Sequence, residues 1–544
     1  MFINFTNIPG HQKLFLDYLY DFKKVKRFYG KDFRDSKFYF EHFSKLASKE
    51  NDRIIEITGI LKEQYKNLNP NDKTLNNIES LKNNNTLQVV TGQQLGIFGG
   101  PLYTFYKIIT AIKLSESLKE KFTNYNFIPV FWLEGDDHDF DEVRSINLMN
   151  ENNEIITLNY NDGITEEINR GSVGNLKFNN NFNAVFKEID ETLRQSEFKT
   201  KLLELLSNCY REAATFKEAF RKLIFHFFDE YGLVIFDPMD KRIKEMLKPL
   251  FKKEVVEFRE HSNEVIKVSA ELEDTYHAQV KARPVNLFMS EEDGRYLIEP
   301  TETEFRLRGK RRKFTQEAIL ELIESSPEKF SPNVLLRPIC QDYLFRTACY
   351  IGGPSEISYF AQVIPLYKIF GIEQPIIYPR SSFSIVEKNI LKVMDKYGLN
   401  YTDFYNDKDS VVEKVIGSLS EVNAEQAFET SINEITLTLD NLKEKLFAID
   451  NTLVDLTNKT RERVLHNINS LKEKAQEAQK KKHEITIRQL NKVSNLLFPN
   501  NNLQERELNF IYFADKYGIN IVQWMFNEIE IDKFEHQISE IPFS

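Results

Sequence analysis

Cysteine is scarce in this chain: Cys209, Cys340 and Cys349 are its whole complement across 544 residues. They form no CxxC pair and are too few for a disulfide framework. No run is apolar and long enough to cross a membrane. The opening Met1-Phe2-Ile3-Asn4-Phe5 lacks the basic region and apolar core of a signal peptide. Together these absences predict a reducing, cytoplasmic setting. Positive charge is also in deficit, with a formal net charge of −10, which argues against general nucleic-acid binding. Between Gly417 and Pro499 there is no glycine or proline, so that stretch has no helix breaker. What is present is ordinary for a globular protein: 41% hydrophobic and 28% charged residues, with core material from 44 Phe and 23 Tyr. The length predicts several domains, or one core carrying large insertions.

The chain is organised around Val89-Val90-Thr91-Gly92-Gln93-Gln94-Leu95-Gly96-Ile97-Phe98-Gly99-Gly100-Pro101. Leu87 to Val90 reads as a short buried strand. Leu102, Phe105, Tyr106, Ile109 and Ile112 fall at helical spacing beyond it. Pro101 suits the first turn of that helix. Glycines let a backbone approach a ligand, and a helix N-terminus offers free N–H groups to an anion. The layout predicts a phosphate or carboxylate cradle; a tight turn that needs glycine is the alternative. No Gly-Lys-Ser/Thr follows, so it is not a Walker loop, and the glycine spacing is not that of a dinucleotide fingerprint.

Residues 1–143 read as a helical cover followed by the first part of an α/β core. The near-continuous apolar runs at 87–90 and 126–133, joined by a helix, predict parallel strands covered on both faces. Residues 144–220 read as a first insertion and 221–240 as core, with a third strand ending at Asp237. Residues 241–330 read as a second insertion, with a helix from Met246 to Phe258 and β structure from Leu287 to Glu299. Its basic run Arg308-Gly309-Lys310-Arg311-Arg312-Lys313 is a solvated loop or an anion contact. Core resumes over 331–385, with Arg337 and Arg380 at the ends of predicted strands. Residues 386–498 read as a helical coiled-coil domain, seamed by Leu439, Leu442, Leu446, Ile449, Leu453 and Leu456. The seam slips near Asn458-Lys459-Thr460, the mark of an irregularity in one long helix or of a hairpin turn. Residues 499–544 return to the core or complete a dimer surface.

Ligands of open α/β sheets bind beyond the carboxyl ends of the strands. There this chain places the Gly-rich loop and Glu134-Gly135-Asp136-Asp137-His138-Asp139-Phe140-Asp141-Glu142. So many carboxylates need an offsetting cation. They predict Mg²⁺ binding near substrate phosphates, a general base at His138 oriented by a carboxylate, or recognition of an amine or sugar hydroxyls. The alternative is a solvated acidic loop. Arg337 and Arg380 suit a carboxylate or phosphate bidentately, or pair with the acidic loop. Glu356, after Gly352-Gly353-Pro354, faces the same edge. Cys340 and Cys349 read as core residues.

In this order, Thr91-Gly92-Gln93-Gln94, Gly96, Gly100-Pro101-Leu102-Tyr103-Thr104, Tyr106-Lys107, Pro129-Val130-Phe131-Trp132, Asp137-His138-Asp139, Arg337-Pro338, Gln341-Asp342, Gly352-Gly353-Pro354, Glu356, Pro379-Arg380, Phe498-Pro499 and Leu503-Gln504-Glu505-Arg506 resemble the bacillithiol-synthesis cysteine ligase family (BshC) over nearly the whole chain. The chain departs from that pattern at Asp136, where Glu is expected, and at Glu134, where a small residue is usual. The resemblance implies a Rossmann-like parallel-sheet core with two inserted segments, a C-terminal α-helical coiled coil and a homodimer. It implies a ligase that joins L-cysteine to glucosaminyl-malate through an amide bond, the last step in making this low-molecular-weight thiol. Joining a carboxylate to an amine needs activation, so ATP or another nucleotide is the expected cofactor, with Mg²⁺ beside it. Expected catalytic residues are His138, Asp137 and Asp139. Expected substrate- or nucleotide-binding residues are Thr91, Gly92, Gln93, Gln94, Gly96, Gly99, Gly100, Tyr103, Asp136, Arg337, Gln341, Asp342, Gly353, Glu356 and Arg380. A nucleotidyl- or glycosyltransferase on the same core, and a non-catalytic coiled-coil scaffold, are the alternatives.

Overall fold

The computed structural model describes residues 1–49, 51–164, 168–405, 408–419 and 424–542. Its centre is a five-stranded parallel sheet: β1 (Thr86–Gln94), β2 (Asn126–Glu134), β3 (Val234–Phe236), β4 (Thr347–Gly352) and β5 (Ile376–Pro379), in spatial order β5-β4-β1-β2-β3. This is the doubly wound order, whose direction of winding reverses between β1 and β4; a crevice opens there at the carboxyl edge. β1 and β2 run in register along their whole length, from Thr86 opposite Asn126 to Gln94 opposite Glu134. The strands are apolar because both faces are covered. Trp132, Phe131, Val89 and Ile351 are all buried.

The first helix of the core, α1 (Tyr103–Lys121), packs on β1 and β2. β1 is longer than its apolar run suggests, because ladder pairing with β2 carries it through Gln94. The helix therefore begins at Tyr103, two residues after Pro101, and the N–H of Leu102 is taken by the carbonyl of Leu508. Five helices precede the sheet. They are pinned to the core by polar side chains: Tyr18 Oη donates to the Ile377 carbonyl in β5 at 2.6 Å, and Tyr29 Oη to the Ile357 carbonyl, in the helix that follows β4, at 2.8 Å.

Between β2 and β3 lie the hairpin Ser145–Met149/Ile155–Asn159 and the helices Phe182–Thr192, Lys199–Cys209 and Phe216–Phe228. Between β3 and β4 the helix expected over Met246–Phe258 is far longer: α2 (Lys241–Glu273) runs 33 residues, bent at Glu257. A five-stranded antiparallel sheet follows, and its last strand, Phe330–Pro332, pairs with Leu287–Glu291. Arg337 thus does not end a core strand. It opens α3 (Arg337–Leu344), with Pro338 in the first turn, where a missing N–H costs nothing. The basic run is neutralised locally: Lys310 pairs with Asp293, Arg308 with Glu299, Arg312 with Glu291 and Lys313 with Glu304. After β4, α4 (Pro354–Phe370) leads to β5.

The chain forms two compact units, residues 1–384 with 503–539, and residues 385–502 with 540–542. In the first, strand Phe2–Ile3 pairs antiparallel with the strand at His536–Glu540. The second is helical. Ala424–Phe447 and Leu453–Lys482 pack on each other as a hairpin. Its turn lies at 448–452 rather than at the seam slip near Asn458. Asp450 Oδ1 accepts from the N–H and hydroxyl of Thr452 and reverses the chain there. Residues 406–407 and 420–423, within the expected coiled-coil domain, lie outside the described residues. No described helix is long and apolar enough to cross a membrane.

His536 is fully buried, with its ring nitrogens at 2.7 Å from Ser382 Oγ and 2.9 Å from Ser384 Oγ. Burial pushes its pKa down to about 4, against the opposing pull of Glu505. Between pH 6.5 and 4 the unfolded chain therefore takes up a proton that the folded chain refuses, so stability falls as pH drops through this window. The difference corresponds to about 3 kcal/mol. Urea unfolding midpoints at pH 7 and pH 5 should differ, and His536→Asn should narrow the gap.

Candidate active site

The crevice between β1 and β4 is a cavity of about 570 Å³, within the size range of small-molecule sites. Its floor is built by β1. Gly92 packs closely on β2: a Cβ there would stand 3.1 Å from the Trp132 carbonyl oxygen, tighter than most side chains sit. Lys107, one helical turn beyond Tyr103 on α1, is buried at the floor and lines the cavity. Its Nζ donates to the Gly92 carbonyl at 2.7 Å, to Gln93 Oε1 at 3.0 Å and to Glu356 Oε2 at 2.5 Å. Glu356 also accepts from the Gly353 N–H at 2.8 Å, capping α4, and from Tyr350 Oη at 2.6 Å. Burial opposes this charge, yet Lys107 and the other donors hold the carboxyl below its ordinary range.

Arg337 crosses the back wall. Its guanidinium donates to Gln341 Oε1, Tyr350 Oη and Tyr359 Oη, each at 3.1 Å, and its Nε lies 3.6 Å from Glu134 Oε2. Arg380, just past β5, is held by Glu505 at 2.6 Å, and Glu505 also accepts from the Phe383 N–H at 2.9 Å. The segment after the coiled coil thus returns to the site and brings Arg506 to the cavity wall. From the second insertion, Arg295 lies over the Phe288 ring, 3.8 Å from its centroid, and donates to Ser331 Oγ and the Pro332 carbonyl.

The acidic loop divides its carboxylates. Asp137 and Glu142 line the cavity and share Gln94 Nε2, at 2.6 and 2.7 Å. Burial would raise the Asp137 pKa, but hydrogen bonds from His138 and Gln94 and the charge of Arg295 keep it well below the usual carboxylate range. Asp136 does not line the cavity; it is nearly buried and paired with Lys244 of α2 at 2.5 Å. Asp139 caps the short helix Phe140–Val143 by accepting from the Glu142 N–H. His138 lines the cavity, and its Nδ1 lies 3.1 Å from a guanidinium nitrogen of Arg295. A guanidinium can only donate. Nδ1 thus faces a cation on one side and Asp137 Oδ1, 3.5 Å away, on the other, so this nitrogen is not open to a substrate proton. The expected base at His138 meets this obstacle.

The Gly-rich loop also divides. Gly92, Gln93, Gln94 and Tyr103 line the cavity. Thr91 donates its hydroxyl to the Ile351 carbonyl, behind the sheet edge. Gly96, Gly99 and Gly100 fold away: Asn509 Nδ2 donates to the Phe98 and Gly100 carbonyls at 3.0 and 2.6 Å, tying the turn to the C-terminal segment. The backbone cradle expected there is a structural clasp, and cationic side chains bring the positive charge to the cleft instead. Gly353 and Glu356 line it; Gln341 and Asp342 sit behind Arg337, where burial raises the Asp342 pKa to about 6 against hydrogen bonds from Thr347, Tyr367 and Gln341. Lys107 sits four residues from Tyr103, a spacing that shares a helix face. Glu134 stood in the acidic loop and Arg506 in the motif beyond the coiled coil, though neither was among the expected site residues; Arg295, Tyr350 and Tyr359 had no comparable local signal of a site role.

Among the described residues, no group of three or more His, Cys, Asp or Glu side chains is placed to hold a metal ion. The acidic loop spends its carboxylates on Lys244, Gln94 and a helix cap, so it does not fit a resident metal cage. All three cysteines are buried, and burial raises the thiol pKa of each.

A doubly wound sheet with a cation-rich cleft at its switch point defines a Rossmann-like small-molecule-binding protein. Residues 1–381 match the Rossmann-like N-terminal domain of the bacillithiol biosynthesis protein BshC, and residues 383–541 match its C-terminal coiled-coil domain. The chain belongs to the BshC family of bacillithiol biosynthesis. Relatives named "Putative cysteine ligase BshC" include those of Salinibacter ruber, 36% identical over 96% of this chain and 95% of the relative, and Chlorobaculum tepidum, 33% identical over 95% and 94%. That of Chloroherpeton thalassium is 34% identical over 94% and 93%.

Replacing Glu356 with Ala would leave Lys107 buried without its counter-charge. Breaking such a pair from one side costs about 3–5 kcal/mol. Chemical denaturation should show a loss of that size, and the double variant Glu356→Ala/Lys107→Met should recover part of it.

Proposed function

We propose that this chain is an ATP-dependent cysteine ligase that forms the amide bond between L-cysteine and the amine of glucosaminyl-malate, the last step of bacillithiol synthesis. The observation that carries this reading is the charge of the cleft. In a chain of net charge −10, its lining holds Lys107, Lys281, Arg283, Arg295, Arg337, Arg380 and Arg506 against Glu134, Asp137, Glu142 and Glu356. A malate group carries two carboxylates and cysteine one, and guanidinium groups recognise carboxylates in paired geometry. The cluster of Glu134, Asp137 and Glu142 suits the amines of both substrates. ATP or another nucleotide would activate the cysteine carboxylate, its phosphates drawn to the same cations. Mg²⁺ would arrive with the nucleotide, since it is commonly held by substrate phosphates with one or two carboxylates. His138, on the cleft wall, would hydrogen-bond the substrate through its remaining ring nitrogen. A cytoplasmic site of action and a homodimer complete the reading.

Deleting the gene should abolish bacillithiol and cause glucosaminyl-malate to accumulate, both reversed by supplying the gene in trans. Thiol profiling that finds bacillithiol unchanged would overturn the proposal. The dimer has its own support in the hairpin, where Leu437, Leu442, Phe447, Ile449, Leu456 and Leu471 are exposed in the single chain. Such a row of apolar side chains suits a partner helix. Replacing residues 424–482 with a short flexible linker should yield a monomer in sedimentation velocity, and a dimer of undiminished stability would exclude this interface.

A further inference from the structure

Lys107, Gln93 and Tyr103 form a chain of hydrogen bonds whose direction is set from one end. The Lys107 ammonium has three protons and no acceptor. It gives them to the Gly92 carbonyl at 2.7 Å, to Gln93 Oε1 at 3.0 Å and to Glu356 Oε2 at 2.5 Å. The Gln93 amide is thereby oriented, since turned the other way its NH₂ would meet the ammonium. Its Nε2 faces Tyr103 Oη at 3.2 Å and donates to it. The phenol oxygen is the acceptor of that bond, which leaves its own proton to be donated. Among the described residues it donates to no group. Tyr103 is half-buried and, like Gln93, lines the cleft.

The charge around the phenol selects what it meets. The Arg380 guanidinium lies 5.4 Å from the centre of the Tyr103 ring, and Arg506 lines the same cleft. Arg380 is held by Glu505, whereas the Arg506 side chain is exposed and makes no hydrogen bond or ion pair among the described residues. We propose that the Tyr103 hydroxyl is a pre-oriented donor to an anionic oxygen of the ligand, with Arg506 supplying charge to the same group, and that Gln93 is the positioning residue that turns the phenol's proton toward the cleft. This rests on the amide-forming reading given above. The oxygen belongs to a carboxylate of glucosaminyl-malate or to a phosphate of the nucleotide, which present the same charged acceptor. A donor oriented in advance spares the ligand an ordering cost on binding. Burial, the largest influence, raises the Tyr103 pKa; Arg506 and Arg380 oppose it, and Glu142 and Glu356 add to it, so the phenol keeps its proton near neutral pH.

The test uses the full chain in cells lacking their own ligase of this kind, where bacillithiol and glucosaminyl-malate are measured. Purified protein is titrated by calorimetry with glucosaminyl-malate and, separately, with a non-hydrolysable ATP analogue and Mg²⁺. Restoration of bacillithiol by the unmodified chain is the control: without it the ligase reading fails and takes this one with it, and with it Tyr103 is judged alone. Tyr103→Phe removes only the hydroxyl. Affinity for one ligand should fall about 10- to 100-fold, the worth of a hydrogen bond to a charged group. A fall for glucosaminyl-malate assigns the carboxylate, and a fall for the analogue assigns the phosphate. Unchanged affinity for both overturns the proposal, and so does an equal loss for both, which marks damage to the cleft. Should neither ligand titrate with the unmodified chain, the cellular ratio of bacillithiol to glucosaminyl-malate decides: Tyr103→Phe should lower it, and an unchanged ratio overturns the proposal. Gln93→Glu tests the direction. A carboxylate accepts from both Lys107 and Tyr103, so it turns the phenol's proton away from the cleft while Tyr103 stays in place. The same ligand should be lost, and the substitution should cost less in a Tyr103→Phe background, where no proton remains to turn. Equal cost in the two backgrounds is the mark of an added negative charge alone and overturns the role of Gln93.

Discussion

Glu356 is the carboxylate on which the cleft depends. It lies at the switch point and draws in one donor from each neighbouring element: Lys107 from the helix after β1, Tyr350 from β4 and the Gly353 N–H from the start of α4. Lys107 then reaches the Gly92 carbonyl and Gln93. Two strands that part at their carboxyl ends are thereby locked at a fixed separation. A buried ion pair of this kind earns little net stability over an apolar substitute. What it supplies here is a cleft whose floor and walls are held by charge-assisted hydrogen bonds.

Around that hub the cations are arranged by segments far apart in the chain. Arg337 comes from the helix after the second insertion, Arg295 from the insertion's sheet, Arg380 from the loop after β5 and Arg506 from beyond the coiled coil. Each buried guanidinium has its own holder: two tyrosines and Gln341 for Arg337, Glu505 for Arg380, and Ser331 with the Pro332 carbonyl for Arg295. Holding them in advance reduces the ordering cost when an anionic ligand enters. This also accounts for the polar residues deep in the fold. Asp342, Gln341 and Tyr367 form the layer behind Arg337, with Tyr367 Oη donating to Asp342 at 2.5 Å.

The site was legible where chemistry and chain proximity coincide. Gly92, Gln93, Gln94, Asp137, His138, Gly353 and Glu356 sit at or just beyond the ends of apolar runs, and the carboxyl-edge rule for α/β sheets brought them together. It misled where pairing between distant strands decided the local backbone. Gly96, Gly99 and Gly100 look like a ligand cradle next to an apolar run, but ladder pairing extends β1 and Asn509 captures the turn. Asp136 and Asp137 are indistinguishable as neighbours in an acidic loop. Only the position of Lys244, more than a hundred residues later, turns one away from the cleft and leaves the other facing it. Arg337 looked like a strand terminus because the apolar run before it could not reveal that its strand belongs to a different sheet.

The sequence by itself determined the parallel α/β core, the helical character of the C-terminal part and membership in its family. Apolar periodicity, glycine and proline placement and ordered motifs are local properties, written in consecutive residues. It also carried the leucine seam, but not the turn at Asp450, because either half of a hairpin shows the same period as one continuous helix. Tertiary structure alone decided which acids face the cleft, which cation stands against His138 and which guanidinium stands beside Glu134. These depend on Arg295, Lys244 and Arg337. Their positions follow from packing across insertions, and the direction of a hydrogen bond is set by what stands opposite in space.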